Sequence, residues 1–290
     1  MRAVTLVVLP LLVASCVDTE EEQLGERESA VIIDNRIALN RIALNRIALN
    51  RIALNRIALN RIALNRLQAN LDTVGDLLTT PDGLELFSFV VSCALDHGDV
   101  LEAPNPKAGI GDEPDVLEFP GELGLAPRWE NHRLHDSDER WVSACLLARV
   151  NQNNVTVSVS LRGADKALRT TAAERAAFTL DEGAFFGDVF VDEGEPLEMF
   201  ACRGFDQANR PSPVPAVLTQ RTCTIPDPAN PGQTLCGDAD SAIAFAGECA
   251  DACKKQADDG SYRDCKPDDG DDRGHGRGKY REVIATFLQP

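Results

Sequence analysis

The stretch "SDERWVSACLLARVNQNNVTVSVSL", Ser137 to Leu161, carries two different structural periods in direct succession. Its first part reads as a helix over about Ser137–Val150, opened by Asp136 and Glu139 at the spacing of a capping box. "NQNN" is a turn. Val155, Val157, Val159 and Leu161 then alternate with polar residues, as the two faces of a half-buried strand require. Helix, turn and strand so close together predict a mixed α+β body.

The flanking sequence extends that reading. Thr80 and Pro81 have the character of an N-cap and first-turn proline, so "GLELFSFVVSCAL" is expected to be a buried helix from about Asp82 to Leu95. "HGDVLEA" turns into a short strand, and residues 104–135, rich in proline, glycine and charge, are expected to form a long loop. Thr171 and Glu174 form a second capping box, which predicts a helix running on to a stop at Gly183. "FFGDVFV" and "LEMFACRGF" read as further strands. From Cys202 to Cys265 six cysteines fall within 64 residues among prolines, glycines and aspartates, the texture of a cross-linked, loop-rich lobe. "DDGDDRGHGRGK" is expected to be an exposed loop, and "REVIATFL" a terminal strand or helix that returns to the core. The body thus divides into an α+β domain over 71–200 and a cysteine-rich lobe over 201–290 packed on it.

Ahead of the body lie three segments of different kinds. Residues 1–15, "MRAVTLVVLPLLVAS", hold one charge and an apolar run too short to span a bilayer, which takes about 20 residues, and have the order of a signal peptide. Residues 16–34 continue with seven acids and one arginine after Cys16, a composition expected of a disordered tether. Residues 35–70 repeat the word Asn-Arg-Ile-Ala-Leu, with seven arginines and no acid. A period of five advances about 500° on a helix, so no face of a helix stays apolar. On a strand, the same odd period sends successive isoleucines to opposite faces. The readings left are a spacer or stalk, reaching about 120 Å extended or about 54 Å as a frayed helix, or a short β-solenoid.

Charge and cysteine content bound the function. The net charge of −17 is composed of −6 for residues 17–34 and +7 for 35–70, which leaves −19 for 71–290 once Arg2 is counted. So acidic a body has no footprint for phosphate, and nucleic acid is not an expected partner. Besides Cys16 there are eight cysteines, Cys93, Cys145, Cys202, Cys223, Cys236, Cys249, Cys253 and Cys265. An even number in an exported chain predicts up to four disulfides, with Cys93–Cys145 the expected bridge of the N-terminal half.

No constellation of reactive residues stands out, and neither catalytic residues, cofactor nor metal is expected. His132 and His135, with Asp136 as a third group, have chelating spacing but read as solvated loop residues. Cys93 and His97 are four apart, as in a thiol–imidazole dyad, against which stands the expected bridge. Cys249 and Cys253 with Cys202, Cys223, Cys236 or Cys265 match a zinc set, but an oxidising compartment favours disulfides. Asp268, Asp269, Asp271 and Asp272 lack the alternation and distal glutamate of a calcium loop.

"VASC", Val13 to Cys16, resembles the lipobox of bacterial lipoproteins. The resemblance implies that Cys16 is lipidated, becomes the mature N-terminus and anchors the chain to a membrane. In that family aspartate after the cysteine retains a protein at the inner membrane, so Val17 implies the outer membrane. "WVSACLLARVN", "VSVSLRG" and "EGAFFGDVF" are similar to a family of exported, cysteine-bearing bacterial proteins with no assigned function, a resemblance that spans much of 80–290 and carries no site residue. The expectation is therefore an envelope lipoprotein that displays a binding or structural module for a protein or other envelope partner. The alternative is an exported hydrolase assembled from scattered acids and histidines of residues 71–200.

Overall fold

The structure is a computed structural model and describes residues 37–40, 64, 77–111, 114–149, 157–191, 197–204, 233–234, 237–238, 243–255, 258–267 and 279–290. All of these belong to one compact unit, Asn35–Pro290. Residues 1–34, with the expected signal peptide, Cys16 and the expected tether, lie outside the described residues, as do Cys223, Cys236 and the aspartates of 268–272.

The chain order is β1 (Ile37–Asn40), α1 (Pro81–Ala94), β2 (Val100–Pro104), β3 (Val116–Pro120), α2 (Asp136–Ala148), β4 (Val157–Arg162), α3 (Ala172–Ala177), β5 (Leu180–Asp188) and β6 (Glu198–Arg203). There follow two-residue strands β7 (Gln233–Thr234) and β8 (Gly237–Asp238), then β9 (Ala244–Glu248), α4 (Cys249–Ala252), β10 (Lys254–Lys255), β11 (Tyr262–Arg263) and β12 (Ile284–Leu288). The class is α+β. Six strands form one sheet in the order β1-β4-β12-β5-β6-β9, antiparallel except for the parallel pair β6–β9. The last strand in sequence is thus interior in space, hydrogen-bonded to β4 on one side and β5 on the other.

Side-chain alternation gives the sheet two buried faces. Val159, Leu161, Phe185, Met199, Ala201 and Ile284 meet the apolar sides of α1 and α2 in one core. Ala184, Phe186, Phe200, Cys202 and Ala285 meet the cysteine-rich segment in a second core with Tyr262, Cys265 and Tyr280. Ala285 and Phe287, two apart on β12, share the second face, and the pairing with β5 shifts register between Thr286 and Phe287 because Glu182 is passed over. Burying each large side chain in these cores contributes roughly 1.5–3 kcal/mol, so both coverings of the sheet matter to stability.

The helices begin and end for local reasons. The Thr80 hydroxyl accepts from the Gly83 amide at 3.1 Å and Pro81 opens α1, as the sequence implied. Helix α2 differs from expectation at its start. Its N-cap is His135, which makes no side-chain cap bond, while Asp136 is the first helical residue, so the acids of the first turn act on the helix dipole instead. The Ser143 hydroxyl donates to the Glu139 carbonyl at 2.7 Å and accepts from the Val189 amide at 3.0 Å, tying α2 to the end of β5. Three disulfides are present among the described residues, Cys93–Cys145, Cys202–Cys249 and Cys253–Cys265. The first joins α1 to α2, and the other two lie in the second core.

Two expectations are overturned. Residues 104–135 are not a continuous loop, because Val116–Pro120 pairs antiparallel with Val100–Pro104 as a hairpin that brings Phe119 edge-on to Phe87 at 4.8 Å. The helix expected to reach Gly183 stops at Ala177. The Thr171 hydroxyl does accept from the Glu174 amide, but from Leu180 the chain is a strand between β12 and β6. Gly183 is inside that strand at φ +157°, and a Cβ there would stand 2.1 Å from the Cys202 carbonyl oxygen. It marks a close approach of backbones, not a helix end.

The repeat tract touches the body at two described points. Ile37–Asn40, the first Ile-Ala-Leu-Asn word, pairs antiparallel with Val157–Ser160 at the edge of the sheet. Leu64, in the sixth word, is part of the core that contains α1. No closed solenoid is present among the described residues.

A buried ion pair locks the helical layer. Arg149, after α2, donates to Ser92 at 2.8 Å and to Glu122 at 3.0 Å, Ser92 donates to Glu122 at 2.6 Å, and the guanidinium lies 4.8 Å from the Phe89 ring centre. The Arg149 side chain is 5% exposed and that of Glu122 is 35%. Water therefore reaches the acid but not the base. Glu122→Ala, which leaves a buried cation without its acid, is expected to cost about 3 kcal/mol in denaturant unfolding, and Arg149→Met clearly less. Gly183→Ala is expected to cost at least about 2 kcal/mol in the same measurement.

Candidate functional site

The candidate site is an open groove of about 520 Å³ lined by Trp141, Ala164, Asp165, Arg263, Asp264, Arg281 and Glu282. Four elements build it. Helix α2 supplies Trp141 from its second turn, the turn after β4 supplies Ala164 and Asp165, β11 and its end supply Arg263 and Asp264, and the approach to β12 supplies Arg281 and Glu282. Asp165 is itself fixed, accepting from the Ala167 amide at 2.8 Å. At Gly163 a Cβ would meet Leu168 at 2.6 Å and the Val283 carbonyl oxygen at 2.9 Å, so this turn packs directly against the segment that carries Glu282. Asp264 holds a left-handed backbone at φ 52°, which short polar side chains tolerate best.

The charges of the groove are arranged in pairs. Glu282 accepts from Arg140 Nε at 2.8 Å and from the Ser137 hydroxyl at 2.9 Å. Burial raises the pKa of Glu282, but these two donors outweigh it and hold the carboxyl below its ordinary value. Burial acts against the charge of Arg140 too, and Glu282 more than offsets it. Asp264 lies 3.6 Å from Lys254 and 3.9 Å from Arg281, both of which are largely exposed. Asp138 in the first turn of α2 is pushed up by burial, against the nearby His135 and Arg128. The groove therefore offers fixed carboxylates, exposed guanidiniums at its rim and an indole in its wall. That set can exchange ion pairs with a polar ligand. It does not place a nucleophile beside a base.

The residues singled out by sequence are distributed otherwise. His97, His132, His135 and Asp136 are exposed. Cys93 is bonded to Cys145, so the dyad with His97 has no thiol. Among the described residues one group of three potential metal ligands converges, and it is Cys202, Cys249 and Cys253 rather than any histidine set. Arg140, Trp141, Asp264, Arg281 and Glu282 were not found by motif. Arg140 and Glu282 are 142 residues apart, and no local pattern announces such a pair. Compared with known proteins, the chain matches no family, no curated sequence and no solved structure.

Two buried acids should oppose each other in the pH dependence of stability. The lowered pKa of Glu282 gives stability that is fully present above the ordinary value of 4.5 and lost as pH falls through the lower folded value. Glu174, desolvated beneath the sheet, has a raised pKa despite the 2.7 Å bond from Ser160, so its contribution improves as pH falls and the carboxyl is protonated. Glu282→Gln is thus expected to lose about 1–2 kcal/mol at neutral pH and nothing in strong acid. Glu174→Gln should match or exceed the parent at neutral pH and lose that advantage on acidification. Denaturant melts at several pH values check both.

Proposed function

We propose that this chain is a lipid-anchored protein of the cell envelope, in the outer membrane, and that its body acts by binding a polar protein or envelope partner. The anchor is Cys16, and the support for it is the short apolar leader that ends in "VASC". Three disulfides favour an oxidising compartment. Recognition falls to the groove around Trp141. The observation that carries this reading is the groove's composition, with both signs of charge, an aromatic wall and side chains that already make ion pairs, as at the polar rim and aromatic anchors of partner surfaces.

The repeat has a narrower role in this reading than a free stalk. Its first word is at the sheet edge and its sixth word contributes Leu64 to the core, so the stretch between anchor and body is residues 17–36. Those 20 residues reach at most about 70 Å. Removing ten residues from within 42–61 should leave display of the body unchanged, whereas removing ten from 17–34 should impair access to a partner.

Two measurements test the proposal. The native protein extracted from membranes should have an intact mass that begins at Cys16 and includes acyl chains, and an unmodified chain would refute the anchor. Arg281→Ala combined with Arg263→Ala should weaken capture of the partner from envelope extract at least tenfold without changing the melting temperature, since Arg281 is 85% exposed. A hydrolytic activity abolished by His132→Ala would instead establish the enzymatic alternative.

A further inference from the structure

The four described cysteines of the second core form more than two separate staples. The sulfurs of Cys202, Cys249 and Cys253 all lie within 4.8 Å of one another, and Cys265 is bonded to Cys253. Across the two disulfides, Cys202 Sγ is 3.5 Å from Cys253 Sγ. A zinc ion bound tetrahedrally by thiolates at about 2.3 Å separates its sulfurs by roughly 3.8 Å. One edge of that tetrahedron is therefore already in place while the sulfurs are still bonded in pairs.

The backbones that carry these sulfurs are held by contacts independent of the disulfides. Cys202 is within β6, opposite Ala184 of β5. Cys249 and Cys253 flank one helical turn, closed by the Cys253 amide to the Cys249 carbonyl at 2.9 Å. Cys265 exchanges two backbone hydrogen bonds with Tyr280, at 2.9 and 2.7 Å, and the next amide, of Lys266, bonds Ala252 at 3.0 Å. Reduction would thus leave four thiols on a preformed frame. Cys202, Cys249 and Cys265 are fully buried, with Cys253 at 9% exposure the one accessible to a reductant.

We propose that Cys202, Cys249, Cys253 and Cys265 are a redox-gated site for zinc or a similarly thiophilic d10 cation. In the oxidised protein the two S–S bonds exclude the ion. Two equivalents of a dithiol each transfer two electrons and two protons, becoming cyclic disulfides themselves and leaving four cysteine thiols. Binding one divalent ion then forms four metal–sulfur bonds and releases four protons. Two equivalents of a small-molecule disulfide, each taking up two electrons and two protons to become two thiols, re-form both S–S bonds and expel the ion.

The full chain, reduced anaerobically by a phosphine without denaturant and freed of it, should bind one Co2+ with thiolate-to-cobalt charge-transfer absorption that one equivalent of Zn2+ bleaches. Cys202→Ser and Cys253→Ser should each reduce that absorption severalfold. Adding Zn2+ to the reduced chain should slow alkylation of Cys202, Cys249, Cys253 and Cys265 severalfold while leaving the rates of Cys93 and Cys145 unchanged. Absence of the absorption overturns the proposal. So does absorption indifferent to Cys202→Ser and Cys253→Ser, or protection spread evenly over all cysteines, the pattern of a reduced chain that has lost its fold and binds metal indiscriminately.

Discussion

The fold depends on where its last strand goes. Ile284–Leu288 fills the gap between β4 and β5, and without it the sheet would be two separate pieces. The strand also joins the two cores, since Ile284 packs with the helices and Ala285 and Phe287 with the cysteine-rich side. The groove follows from the same placement, because Arg281 and Glu282 lead directly into β12 and meet α2 there. The pairing of β4 with β12 joins residues more than a hundred positions apart, the kind of non-local contact that slows folding.

Between the sheet and the cysteine-rich layer, polar groups do more than fill space. Tyr262 donates to Asp181 and Tyr280 donates to Glu198, each at 2.6 Å. Burial and the neighbouring Asp181 both push the Tyr262 hydroxyl up, so it stays a donor at any ordinary pH. Arg162 spans the layer, donating to the Asp259 and Phe178 carbonyls and the Ser160 hydroxyl, with its guanidinium 3.6 Å from the centre of the Phe287 ring. Each bond adds little net stability, but each buried carboxylate would be costly in any other arrangement. These pairs therefore fix the register in which the cysteine-rich layer covers the sheet, and with it which cysteines meet.

Sequence reasoning succeeded where a signal was local. Thr80 and Pro81 announce α1 because a cap and a first-turn proline act within one turn. The alternation after "NQNN" announces β4, and an even set of cysteines announces disulfides. It failed where tertiary contacts override local preference. Thr171 and Glu174 do cap a helix, yet its continuation is taken by strand pairing, and Gly183 is needed for backbone approach to Cys202. Val116–Pro120 is hidden in a proline- and glycine-rich stretch, where only its pairing with β2 makes it a strand. The groove was illegible for the same reason. Its charges come from four separated elements, and the acids and arginines of so charged a chain look alike until the fold selects among them.

What results is a sheet covered on one side by two bridged helices and on the other by a sulfur-rich layer, with a polar groove where α2 meets the entry to the last strand. The arrangement rests on the C-terminal strand being an interior element of the sheet. Native-state hydrogen exchange read by mass spectrometry tests this most directly. The amides of Ile284–Leu288 should exchange as slowly as those of β5, on the timescale of global opening. Exchange of that segment at the rate of an exposed chain terminus would contradict the sheet order and everything built on it.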